Sequence, residues 1–123
     1  MSVHTRSQQL AQEAYVRVAA RGQPKGDYTG FAKKFPALIH TCGLAQAVAF
    51  ALAKKEHDYI NDLANVLKAG GHPRVASAET LKEQTINEEV SAYLRLSRDA
   101  IDAATWLKRY VEAVAPDAAQ EGD

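Results

Sequence analysis

Apolar residues recur along this chain at helical spacing almost throughout, and no segment alternates as a strand would. From about Thr5 to Ala20, Leu10, Ala14 and Val18 fall on one stripe, with Ala11, Tyr15 and Ala19 beside it. Arg6, Glu13, Arg17 and Arg21 lie largely on the other side, Glu13 and Arg17 as a favourable i,i+4 pair. The stretch RGQPKGD (21–27) ends this helix with Gly and Pro. Asp27 is expected to cap a new helix from near Tyr28, and Pro36 predicts a break between about Lys34 and Pro36. Gly43 then stops the short segment PALIHTC by entering left-handed backbone.

Leu44 to Ala53 restarts as helix and is apolar around nearly its whole circumference. Such a helix spans a membrane or is buried among neighbours. The uninterrupted run is about eleven residues, whereas a bilayer needs roughly 20. The pattern therefore predicts a central core helix, with Lys54 and Lys55 marking its exit into water. A helix over about Asp58–Ala69 turns Ile60, Leu63, Ala64 and Leu67 inward, and GGHP (70–73) terminates it. Ser77 caps a short helix over AETLKEQ, and the capping-box spacing of Thr85 and Glu88 opens a long last helix, roughly Asn87–Val114. Tyr93, Leu96, Ala100, Ala103, Leu107, Val111 and Val114 form its inner stripe, with Arg95–Asp99 and Arg98–Asp102 as exposed ion pairs. The tail from residue 115 is acidic and expected to fray. The predicted fold is all-α: one compact domain over 1–123, five to six helices around a central apolar helix.

Composition changes this picture little; charge changes it more. Of 123 residues, 46% are hydrophobic and 24% charged, as in ordinary globular proteins. The first ten residues lack the apolar core of a signal peptide, and the one cysteine provides no disulfide framework or multi-cysteine metal site. A cytoplasmic location is the resulting expectation. Net charge is zero, yet residues 1–55 carry eight Lys or Arg against two acids, and residues 56–123 carry seven against thirteen. A chain so polarised can hold an anionic polymer on one side.

Catalytic chemistry is poorly supplied. Cys42 stands at the break with His40 two residues away, but no third group orients the pair. His57-Asp58 is the dipeptide of metal-dependent phosphohydrolases, which need further histidines and a distant aspartate. The remaining His4, His40 and His72 fall in a terminus, a bend and a Gly-Pro loop. Gly70-Gly71 lacks the Lys-Ser/Thr of a phosphate loop. The expectation is no catalytic residue, no metal, no cofactor and no small-molecule substrate. Aromatic residues amount to 7%, and Tyr15, Tyr93, Trp106 and Tyr110 are assigned to packing rather than base stacking. What remains is a sequence-independent grip on phosphates by Arg17, Arg21, Lys25, Lys33, Lys34, Lys54 and Lys55, provided the helix ends that carry them pack side by side.

FPALIHTCGLAQAVAFALAKK (35–55), followed further along the chain by YLRLSRDAIDAATWLKRYVEAV (93–114), resembles the small α-helical subunit of the Cmr complex, the type III-B CRISPR effector. Pro36, Leu38, Ile39, Gly43, Leu44, Gln46, Phe50, Lys54 and the run Trp106-Leu107-Lys108-Arg109 carry the likeness. Cys42 and His40 depart from it, standing where the family often has Asn and Arg. The resemblance implies a non-catalytic subunit that stacks head to tail with copies of itself. It would lie beside the other Cmr subunits and contact guide RNA and target RNA in antiviral defence, with RNA cutting left to its neighbours. Base pairing would read sequence while the protein reads backbone. Two other readings stand beside it: a helical adaptor that binds only protein, and a phosphohydrolase built on His57-Asp58.

Overall fold

The computed structural model describes residues 5–22 and 26–114. His4, Lys25 and the tail expected to fray lie outside them. The described residues form six helices and no strand: α1 (Arg6–Ala20), α2 (Gly26–Cys42), α3 (Leu44–Ala53), α4 (His57–Ala69), α5 (Ala78–Asn87) and α6 (Val90–Val114). Among them no helix is long and apolar enough to cross a membrane.

Local signals set most of the boundaries. Thr5 Oγ1 accepts from the Gln8 amide at 3.0 Å, and Gln8 Oε1 accepts from the Thr5 amide at 2.8 Å, a capping box that satisfies two orphan donors. Ser77 and Thr80 do the same for α5. Gly43 (φ 86°) separates α2 from α3 as expected. At the end of α4, Gly71 takes the left-handed position (φ 111°), and His72 N donates to the Leu67 carbonyl at 3.0 Å, closing a Schellman turn.

Three expected boundaries are corrected. The helix α2 runs unbroken through Pro36. Proline there forfeits one backbone hydrogen bond, but Phe31, Phe35 and Ile39 are all buried on the stripe around it, at roughly 2–3 kcal/mol per side chain. Tertiary packing outweighs the local break. That helix already begins at Gly26, so Asp27 lies inside its first turn instead of capping it. Thr85 caps nothing either: it is buried within α5, its hydroxyl donating to the Lys82 carbonyl at 2.7 Å, and α6 begins only at Val90.

The centre of the bundle is α4. It packs against all five other helices and buries Tyr59, Ile60, Asp62, Leu63, Ala64, Val66 and Leu67. The uniformly apolar α3, expected at the centre, buries Leu44, Ala47, Val48 and Ala51 but leaves Ala49, Phe50 and Ala53 exposed. Its small residues suit close packing on one side without requiring cover on the other. Along α6, the stripe from Leu96 to Val111 is buried as predicted. Asp99 belongs to that buried face, so the predicted exposed pair with Arg95 does not form. Arg98–Asp102 is likewise absent from the ion pairs of the described residues.

Candidate nucleic-acid interface

The proposed phosphate contacts divide into two groups with different surroundings. At the end of α1, Arg17 Nε donates to Glu13 at 2.8 Å, so the pair anticipated from the sequence forms. Arg21 is tied more deeply. Its Nε donates to Asp62 Oδ2 at 2.6 Å, and its Nη2 donates to the Asp58 carbonyl at 3.2 Å. Its guanidinium also lies over the Tyr28 ring, 4.6 Å from the centroid. Tyr28 donates its hydroxyl to the same Asp62 oxygen. Asp62 is only 4% exposed, and a carboxylate so buried requires such partners. Its hydrogen bond, against the cost of burial, drives the Arg21 guanidinium to a still higher pKa. Arg21 is thus a clamp joining α1, α2 and α4. Nothing in the sequence announced Asp62 as its partner, 41 residues away; the available signal was an acid in register with Tyr59 and Val66 on the inward face of α4.

The lysines of α2 and α3 converge elsewhere. Lys33 and Lys34 lie on the solvent arc of α2, Lys33 half-buried and Lys34 exposed. Lys34 Nζ stands 5.3 Å from the Phe31 centroid and 6.0 Å from that of Phe50, while Lys54 Nζ stands 5.5 Å from the same Phe50 ring. Phe50 therefore gathers two ammonium groups that are twenty residues apart in sequence. An aromatic face attracts such cations modestly and leaves their other donors to solvent. Lys55, exposed beside them, adopts left-handed backbone (φ 62°).

The two groups do not fuse into one uninterrupted basic surface. Acidic groups stand among them: the Glu56 carboxyl is pushed above the ordinary range by burial first and by Asp27 next, while Lys34 pulls it back. Asp58 stands 3.8 Å from Arg21. Folding thus interleaves charges that the linear sequence keeps apart.

The remaining candidates sit apart from this face or in ordinary roles. Cys42 is the last residue of α2 and donates its thiol to the Leu38 carbonyl at 3.3 Å. His40, His57 and Asp58 are exposed. Among the described residues no three His, Cys, Asp or Glu side chains converge as a metal site would require. Tyr93 accepts a hydrogen bond from the Ala45 amide at 3.1 Å, capping α3 where Gly43 has no side chain to do so. Trp106 stacks on Tyr110 (5.7 Å) and Tyr15 meets Tyr110 edge-on (5.6 Å). These aromatics pack on one another, though Tyr15 remains 59% exposed.

Residues 6–114 match the family of CRISPR-associated proteins designated Cas_Cmr5. A relative from Thermus thermophilus, described as the CRISPR system Cmr subunit Cmr5, is 42% identical over 117 residues, which is 91% of this chain and 97% of the relative. The crystal structure of a CRISPR-associated Cmr5 family protein from the same organism superposes with a TM-score of 0.79 at 39% identity. That likeness covers 90% of this chain and 98% of the other.

Proposed function

The chain belongs to the Cas_Cmr5 family, and from that premise we propose that it is a non-catalytic subunit of a Cmr RNA-guided effector. In this reading it stacks with copies of itself and steadies RNA by holding backbone phosphates. The observation that carries the phosphate contact is the gathering of Lys34 and Lys54 around Phe50, with Lys33 and Lys55 alongside. Lysine ammonium groups act as point charges on phosphate and need no fixed geometry, which suits binding independent of sequence. Arg17 and Arg21 contribute field rather than direct contact, because Glu13, Asp58 and Asp62 already hold them.

The test replaces Lys33, Lys34, Lys54 and Lys55 by alanine in the reconstituted complex and measures RNA affinity across salt concentrations. Each lost phosphate contact lowers the slope of log affinity against log salt by about 0.7 for a single strand, so the fourfold variant should flatten it by nearly 3. A slope and affinity equal to the parent's would remove RNA contact from this face and leave an adaptor that binds protein alone. Arg21 is unsuited to this experiment: removing it leaves the buried Asp62 carboxylate without its counter-charge, held by Tyr28 alone, and lowers stability by about 3 kcal/mol.

A further inference from the structure

A second concentration of positive charge lies away from the lysine face. A half-enclosed cleft of about 200 Å³ is framed by the first turn of α1, the α4–α5 connection, the end of α5 and the first turns of α6. Arg6, Arg74 and Arg95 line it together with His72, brought from three separate stretches of chain. Beneath them Asp99, 2% exposed, holds two of the four: His72 Nε2 is 2.7 Å from Asp99 Oδ2, and Arg6 Nη1 is 3.6 Å from the same oxygen. Arg74 and Arg95 are exposed and form no ion pair among the described residues. Gln84 of α5 and Glu88, the residue that follows that helix, also line it.

Three guanidiniums line this one small cleft, and their fields add over a screening length of roughly 8–10 Å. Two nearby carboxylates offset only part of their repulsion, so an anion entering the cleft is favoured. Guanidinium forks match phosphate oxygens bidentately and are less strongly hydrated than ammonium. The volume admits a phosphate and part of a sugar but not a duplex. On the α5 side, Gln84 and Glu88 offer acceptors suited to hydroxyl groups. We propose that this cleft binds the phosphomonoester end of a nucleotide, separately from the backbone contacts of the lysine face. The source of that group is a free mononucleotide or the 5′ end of an oligoribonucleotide.

Titration of the full chain, followed by amide chemical shifts and calorimetry, tests this with inorganic phosphate, adenosine 5′-monophosphate and adenosine. Phosphate and the monophosphate should bind and shift amides around His72 and Arg95, whereas adenosine should not. Arg74→Gln with Arg95→Gln should weaken the monophosphate at least about tenfold, since each charge-assisted contact is strong. Arg109→Gln, an exposed charge near the far end of α6 and outside the cleft, should leave it unchanged. Competition by a short 5′-phosphorylated RNA, but not by its 5′-hydroxyl counterpart, assigns the oligonucleotide end; competition by neither assigns the free nucleotide. Equal competition by both RNAs, equal binding of adenosine, undiminished binding by the arginine variant, or no binding of either phosphate probe would each overturn the proposal.

Discussion

Tyr59 sets its ring edge-on against Tyr28, Phe31 and Phe35, with centroids 5.2 to 5.7 Å apart. Its hydroxyl is buried with no hydrogen-bond partner among the described residues. A stranded hydroxyl costs about 1–3 kcal/mol, so Tyr59→Phe should raise stability by about 1 kcal/mol in chemical denaturation. The same residue controls alkaline behaviour. Burial, reinforced by Tyr28 and Asp62, holds the Tyr59 hydroxyl protonated well above its ordinary range; burial and its bond to Asp62 do the same for Tyr28. In the unfolded chain both titrate near pH 10. Above that pH the unfolded state sheds protons that the native state keeps, so stability is intact below pH 10 and falls beyond it. The loss is up to about 1.4 kcal/mol per pH unit for each tyrosine. Tyr59→Phe should halve the tyrosine part of that slope between about pH 10 and 12. A slope equal to the parent's would show that Tyr59 ionises in the native protein.

At the scale of elements, the end of α3 holds Lys55, the one non-glycine with left-handed backbone among the described residues. Lys55 N donates to the Leu52 carbonyl at 3.0 Å and Glu56 N to the Ala51 carbonyl at 2.9 Å, the two bonds of a Schellman turn, with lysine where glycine is usual. Left-handed backbone costs a residue with a Cβ about 1–2 kcal/mol. Lys55→Gly should therefore stabilise the fold by about 0.5–1 kcal/mol, after the entropy glycine adds to the unfolded chain. A lower melting temperature would contradict this account of the turn. The element also shows what a sequence can reveal. Stripes such as Leu10–Ala14–Val18 and stops such as Gly43 and Gly70-Gly71 are local, so they could be read directly. Pro36, Thr85 and Asp27 mislead because each carries a genuine local signal that the folded chain overrides or relocates. The apolar circumference of α3 overstates its burial, since an alanine-rich face fits solvent as readily as a neighbour. The same divide runs through the candidate interface. The lysines were visible as residues, but their meeting at Phe50, the claim of Asp62 on Arg21, and the cleft at Arg74 and Arg95 depend on contacts between distant helices.

At the scale of the whole molecule, the proposed stacking requires two different surfaces, since head-to-tail contacts join unlike patches and propagate. Two exposed apolar patches meet that requirement. Ile86, Val90 and Leu94, 61–74% exposed, mark the junction of α5 and α6; Tyr15 and Val16, more than half exposed, lie beside Tyr110 near the other end of α6. Val90 and Tyr110 are separated by about 30 Å of helix at 1.5 Å per residue. If these patches meet between copies, Val90→Asp and Tyr15→Asp should each stop association seen by sedimentation velocity. Val90→Asp should lower stability by no more than about 0.5 kcal/mol, as a surface change, and Tyr15→Asp by about 0.5–1.5 kcal/mol through its lost contact with Tyr110. The mixture is decisive. Each variant keeps the patch that the other has lost, so combining them restores one contact and yields dimers but nothing longer. An isologous contact, in which one patch meets itself, would give a different result: one variant would associate as the parent does, and mixing would add nothing. Undiminished association of both variants would place the stacking surface elsewhere on the molecule.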